Sequence, residues 1–158
     1  MSQVSSLSHE LDAPPWQRVD STIMQTARAI RRAYETRLSP LDLNLSQASI
    51  LGFLANGPAS QTQVASSLGI GRAAAGSIVD TLEKRGLVER QPDPNDRRVW
   101  LVAVTKAGAA LAKPVQDIDR VLRTELRAGI SRHERQVLAE LLVRLQSNLT
   151  TILGDEPG

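Results

Sequence analysis

Three observations predict a mainly α chain with a small β wing, arranged as a winged helix-turn-helix domain with a helical dimerisation layer from the N- and C-terminal helices. Residues 60–104 hold two short amphipathic segments joined by a Gly-containing turn, then two β-rich runs around a Pro/Asp/Asn tip. Hydrophobic residues make up 41% of the chain but aromatics only 3%. The core must therefore be Leu, Ile, Val and Ala, which suits helix-on-helix packing. Finally, Val137, Leu138, Leu141, Leu142, Leu145, Leu149, Ile152 and Leu153 recur at helical spacing near the C-terminus, more than one small domain can bury.

Along the chain, residues 1–12 are polar and Ser-rich and are expected to form a flexible tail. Pro14 and Pro15 can open a helix, where a missing N–H costs nothing. Trp16, Val19, Ile23, Ala27, Ile30 and Tyr34 then step by three and four, one stripe of a helix running to about Arg37. Arg28, Arg31, Arg32 and Arg37 lie opposite, a solvated face or one that approaches an anion. After a connection at 38–44, Ser46 is expected as N-cap of a short apolar helix, with Leu45 and Ile50 as its hydrophobic staple. That helix carries Ile50, Leu51, Phe53 and Leu54 and stops at Asn56-Gly57-Pro58.

Ser60 and Gln63 form an S-x-x-Q capping box that opens the next helix. Val64, Ala65 and Leu68 are its apolar face, Gly69 supplies the left-handed residue at its end, and Ile70 plugs the turn. A second helix from about Gly71 to Arg85 has Ala75, Ile78, Val79 and Leu82 inside. Arg72, Ala73, Ala74, Gly76, Ser77, Asp80 and Thr81 lie outside, and Gly86 ends it. Two helices on such a turn are the helix-turn-helix arrangement, whose second helix meets base edges with its N-terminal residues. Arg72 and Ser77 are the base-side candidates, beside the small Ala73 and Ala74. Gln61 and Thr62, at the start of the first helix, are phosphate candidates.

Leu87 to Arg90 and Val99 to Val104 are the two expected strands of a hairpin, with turn chemistry over residues 92–96 between them. Arg97 and Arg98 follow the tip, where guanidinium groups suit phosphate or minor-groove contact, and Asp96 is placed to brace Arg98. Thr105 caps a long helix with Ala109, Leu111, Val115, Ile118, Val121, Leu122 and Leu126 as apolar positions and Pro114 as an expected kink. Gly129 ends it, and Ser131 with Glu134 makes a third capping box for the leucine-rich last helix. Packing against a partner copy in a two-fold dimer, or folding back on its own domain, would cover that helix.

Function classes narrow by absence. The chain has no cysteine, hence no disulfide, thiolate metal site or thiol sensor. His9 and His133 lie far apart, so no metal is expected. No nucleotide-binding glycine motif, H-E-x-x-H pair or nucleophile–base set is present, so neither a cofactor nor an enzymatic activity is expected. No apolar run approaches the ~20 residues of a membrane span, and the start resembles no secretory signal. A cytoplasmic protein is the expectation. The net charge of +2 is too small to argue for nucleic acid by itself.

The residues Leu82-Glu83-Lys84-Arg85-Gly86-Leu87-Val88-Glu89-Arg90, followed by Asp93-Pro94-Asn95-Asp96-Arg97-Arg98 and a strand ending at Thr105, resemble the MarR family of winged helix-turn-helix transcription regulators. The similarity extends over nearly the whole chain. It implies a single domain over 13–153 between tails at 1–12 and 154–158. In it a winged helix-turn-helix at about 45–105 is joined to dimerisation helices at about 14–38 and 105–153. It further implies a homodimer on an inverted-repeat double-stranded DNA operator, with Arg98 in the minor groove. The family's members are commonly repressors released by a small aromatic or phenolic effector, and Trp16, Tyr34 and Phe53 are candidates to line that pocket or to serve as core. This chain departs from the family at Ala73, Ala74, Gly76 and Ser77, where many members have polar residues. The alternative is a protein-interaction module on the same scaffold, without specific DNA readout.

Overall fold

The computed structural model describes residues 14–154. The tail expected over residues 1–12, His9 and residues 155–158 lie outside the described residues. The elements are α1 (Val19–Leu38), α2 (Leu45–Leu54), β1 (Ala59–Ser60), α3 (Gln61–Leu68), α4 (Arg72–Lys84), β2 (Val88–Pro92), β3 (Trp100–Val104), α5 (Lys106–Leu126) and α6 (Arg132–Leu153). A 3-10 turn at Pro15–Gln17 precedes α1 and another follows it at Ser39–Leu41. The chain is thus mainly helical with a three-stranded antiparallel sheet, ordered β1-β3-β2. Two compact units divide at residue 120.

The first unit holds the core. α2 contributes Ile50, Leu51 and Leu54, α3 Val64 and Ala65, and α4 Ala75, Val79 and Leu82, with Leu38, Val88 and Val102 closing around them, all buried. Burying each of the larger side chains stabilises by roughly 1.5–3 kcal/mol. Ile78 and Ile70 pack against this core while half-buried.

Local chemistry fixes the helix ends. Ser60 accepts from the Gln63 amide at 3.2 Å while the Gln63 side chain accepts from the Ser60 amide at 2.9 Å. Gly69 (φ 63°) lets Ile70 N donate to Ala65 O, and Gly86 (φ 69°) lets Leu87 N donate to Leu82 O. These paired turns satisfy the orphan carbonyls of α3 and α4. Leu87 is therefore the residue after the helix stop, and β2 begins at Val88 rather than at Leu87.

One cap differs from the expectation. Asn44, not Ser46, caps α2: its side chain accepts from the Gln47 amide, and Gln47 Oε1 accepts from the Asn44 amide. Asn44 wins because a polar partner stands three residues on. Ser49, the corresponding residue for Ser46, bonds back to the Leu45 carbonyl instead. The staple positions pass with the cap to Leu43 and Ala48, both buried.

α5 begins where Thr105 Oγ1 accepts from Gly108 N and donates to Gly86 O at 2.6 Å. Gly108 touches the preceding segment so closely that a Cβ there would stand 1.9 Å from the Leu87 carbonyl oxygen. The helix continues through Pro114. The second unit comprises residues 121–154. Its α6 opens with the Ser131–Glu134 box. Among its apolar residues Leu138, Leu141, Leu149 and Ile152 are exposed, Ile152 by 76%.

Candidate nucleic-acid interface

α3 and α4 carry the exposed chemistry because their inner faces are committed to the core. Arg72 opens α4 behind the extended Gly71. Arg72, Ala73, Ala74, Ser77, Asp80 and Thr81 are all exposed. From α3, Gln61 crosses to α4, where its Nε2 donates to the Arg72 carbonyl oxygen at 3.1 Å. Gly76 leaves room for this, since a Cβ there would stand 2.8 Å from Gln61 Nε2.

The hairpin tip is closed by its own carboxylates. Asp93 N donates to Val99 O, and Asp93 Oδ1 accepts from Asn95 N at 2.8 Å. Asp96 Oδ1 accepts from Arg98 N at 3.0 Å. The brace on Arg98 thus acts on its backbone and leaves its guanidinium unengaged. Among the described residues the side chains of Arg72, Arg97 and Arg98 have no ion-pair partner, and Arg97 and Arg98 are exposed.

Strand β3 and the two helices enclose one concavity of about 460 Å³ between them. Gln61 and Thr62 line it from α3, Arg72 from α4, and Arg98 and Trp100 from the wing. Four of the residues singled out in the sequence (Gln61, Thr62, Arg72, Arg98) therefore meet in one place. Ala73, Ala74, Ser77 and Arg97 lie outside its lining. Two uncommitted guanidinium groups converging on one concave surface can hold an anion by charge-assisted hydrogen bonds.

Arg90, also in the lining, is spent. From β2 its Nη2 donates to Asp80 Oδ1 at 2.6 Å, its Nη1 bonds Glu83 Oε2, and its amide donates to Glu83 Oε1 at 3.2 Å. The Asp80 hydrogen bond, then the charges of Glu83 and Asp80, hold its pKa above the usual arginine value against the opposing effect of burial. The guanidinium locks the wing to α4 and offsets the charge of two carboxylates on that helix.

Comparison with known proteins places this arrangement. A model of the MarR family matches residues 41–99. MarR from E. coli, solved as a mutant complexed with operator DNA, is 25% identical, with a TM-score of 0.72 over 84% of this chain and 99% of its own. The transcriptional regulator BldR from Sulfolobus solfataricus is 26% identical, with a TM-score of 0.70 over 94% of this chain and 99% of its own. The chain is thus similar to the MarR family, in sequence over residues 41–99 and in fold over most of its length.

Beyond the residues expected from the MarR resemblance, two were missed. Arg90 read as one more strand residue, because its carboxylate partners are 7 and 10 positions away on α4. Trp100 read as a β-former, yet it is 58% exposed beside Arg98. The three aromatic candidates for an effector pocket are placed separately. Trp16 is 74% exposed on the first 3-10 turn. The Tyr34 hydroxyl donates to Asp119 Oδ1 at 2.8 Å. Phe53 is half-buried against the core. Among the described residues no helix is long and apolar enough to cross a membrane.

Proposed function

We propose that this chain is a MarR-type homodimeric, sequence-specific regulator of transcription that binds double-stranded DNA. The observation that carries this is the convergence of Arg72 and Arg98 on one concavity, with no carboxylate partner for either among the described residues. In the proposed complex α4 enters a major groove, the wing reaches the neighbouring minor groove, and Thr62 lies beside the backbone between them. The likeness to MarR, solved with operator DNA, supports the same use of this surface.

Arg98→Ala tests it. Removing one phosphate-directed cation weakens binding to all duplexes and lowers the slope of log affinity against log salt by about one. An unchanged slope and affinity in a salt titration by fluorescence anisotropy contradicts the role given to Arg98.

The dimer rests on the exposed apolar residues of α6, which a second copy would cover. Repression relieved by a small aromatic or phenolic effector is the finer part of the proposal and rests on the family resemblance, with Trp16, Tyr34 and Phe53 as its proposed contacts. A ligand that favours a separation of the two α4 helices unsuited to the duplex must weaken DNA binding by the same factor as DNA weakens the ligand. A compound that changes neither DNA affinity nor thermal stability is not that effector.

The exposed Ala73 and Ala74 give a second reading its support, a protein-interaction module that holds DNA only through charge. Retention of one duplex over competitor at moderate salt in a gel shift excludes it.

A further inference from the structure

MarR-type recognition by α4 meets a difficulty here: its groove-side residues after Arg72 are Ala73, Ala74, Gly76 and Ser77, with one hydroxyl among them. The polar group over this part of the helix comes from elsewhere. The Gln61 carboxamide lies on Gly76, where a Cβ would stand 2.8 Å from Nε2, 3.4 Å from Cδ and 3.5 Å from Oε1. Its Nε2 is tied to the Arg72 carbonyl oxygen at 3.1 Å. Arg72 and Gly76 are four residues apart and share one helix face.

We propose that Gln61 is a base-reading residue, presented by α3 through the gap left at Gly76, and that it reads adenine. This rests on the DNA-binding function proposed above. A main-chain carbonyl only accepts, so the nitrogen end of the amide must face Arg72. One N–H is used there, and one N–H and Oε1 remain. That donor–acceptor pair matches N7 and N6 of adenine in the major groove. The bond to Arg72 holds the amide in one orientation before DNA arrives, which reduces the rotamer entropy lost on binding. Gly76 is then the residue that admits the reader, and the small side chains beside it let the helix come close.

The experiment selects duplexes from a randomised library with the full-length protein, then with Gln61→Ala and Gly76→Ala, and measures thermal unfolding of each. The wild type is expected to select an A·T pair at one position in each half-site. Gln61→Ala is expected to lose about 5- to 150-fold of discrimination at that position alone, with other positions and the salt slope unchanged. Gly76→Ala retains Gln61 but displaces the flexible end of its side chain, and is expected to lose the same preference without a lower melting temperature. Uniform weakening across all sequences with a salt slope lower by about one assigns Gln61 to phosphate and overturns the proposal. Unaltered preferences in Gln61→Ala overturn it too, as does a wild-type site with no A·T preference. If the wild type retains no duplex, the DNA-binding reading itself has failed, which the other outcomes leave standing.

Discussion

Gly108 shows how much can hang on one missing carbon. It is buried at the first turn of α5, and an added Cβ would fall 1.9 Å from the Leu87 carbonyl oxygen, inside any permitted contact. That carbonyl also accepts from Thr105 N at 3.1 Å, so it cannot turn aside freely. Gly108→Ala is expected to destabilise the first unit by about 3 kcal/mol despite the better helix propensity of alanine, measured as a lower urea midpoint. The sequence offers no sign of this, because a glycine in a first helical turn reads as a neutral or weak helix residue. Ser60, Gly69, Gly86 and Ser131 behave otherwise. Each acts on partners within a few positions, so each was legible from spacing alone. Asn44 was legible in kind but not in place, since two cap-competent residues stand two apart and only the returning Gln47 side chain decides between them.

Between elements, the wing depends on Arg90. It joins β2 to α4 through Asp80 and Glu83, with its side chain 27% exposed. Arg90→Met is expected to cost about 1–2 kcal/mol of stability, more than a fully exposed pair, read from chemical denaturation. It also removes a cation from the lining of the concavity and leaves Asp80 and Glu83 on α4 without it, so DNA affinity should fall further than the stability loss explains. The α6 cap supplies a pH test. The Ser131 hydroxyl, and then its amide, hold the Glu134 carboxyl below the ordinary carboxylate value of 4.5. Because the folded value is the lower one, the stabilisation is fully present above the unfolded value and disappears as pH falls through the folded one. Ser131→Ala should move the Glu134 titration, followed by NMR, back up toward 4.5. The order of helices and strands was readable from hydrophobic periodicity and turn residues. The Arg90 clamp was not, since no local pattern ties a strand arginine to carboxylates on the preceding helix.

At the scale of the molecule, α6 is the open question that the proposed dimer answers. Leu138 and Leu141 are each about half exposed (51% and 48%), and Ile152 is 76% exposed, an apolar face that a single soluble chain rarely leaves in water. Leu141→Arg is expected to leave the winged unit folded by circular dichroism but to yield monomers in sedimentation at micromolar concentration. Affinity for a two-half-site duplex should then drop on the order of 100-fold or more, since the second half-site no longer gains from the tether. That face was legible as a pattern of leucines; what covers it is beyond what one chain's periodicity can say. Hydroxyl-radical footprinting of the intact protein, on a duplex it has itself selected, tests the account most directly. Two equivalent protected patches are predicted on one side of the duplex, centred about 10 base pairs apart and each flanked by a protected minor groove. A single patch, uniform protection, or patches on opposite sides of the duplex would contradict it.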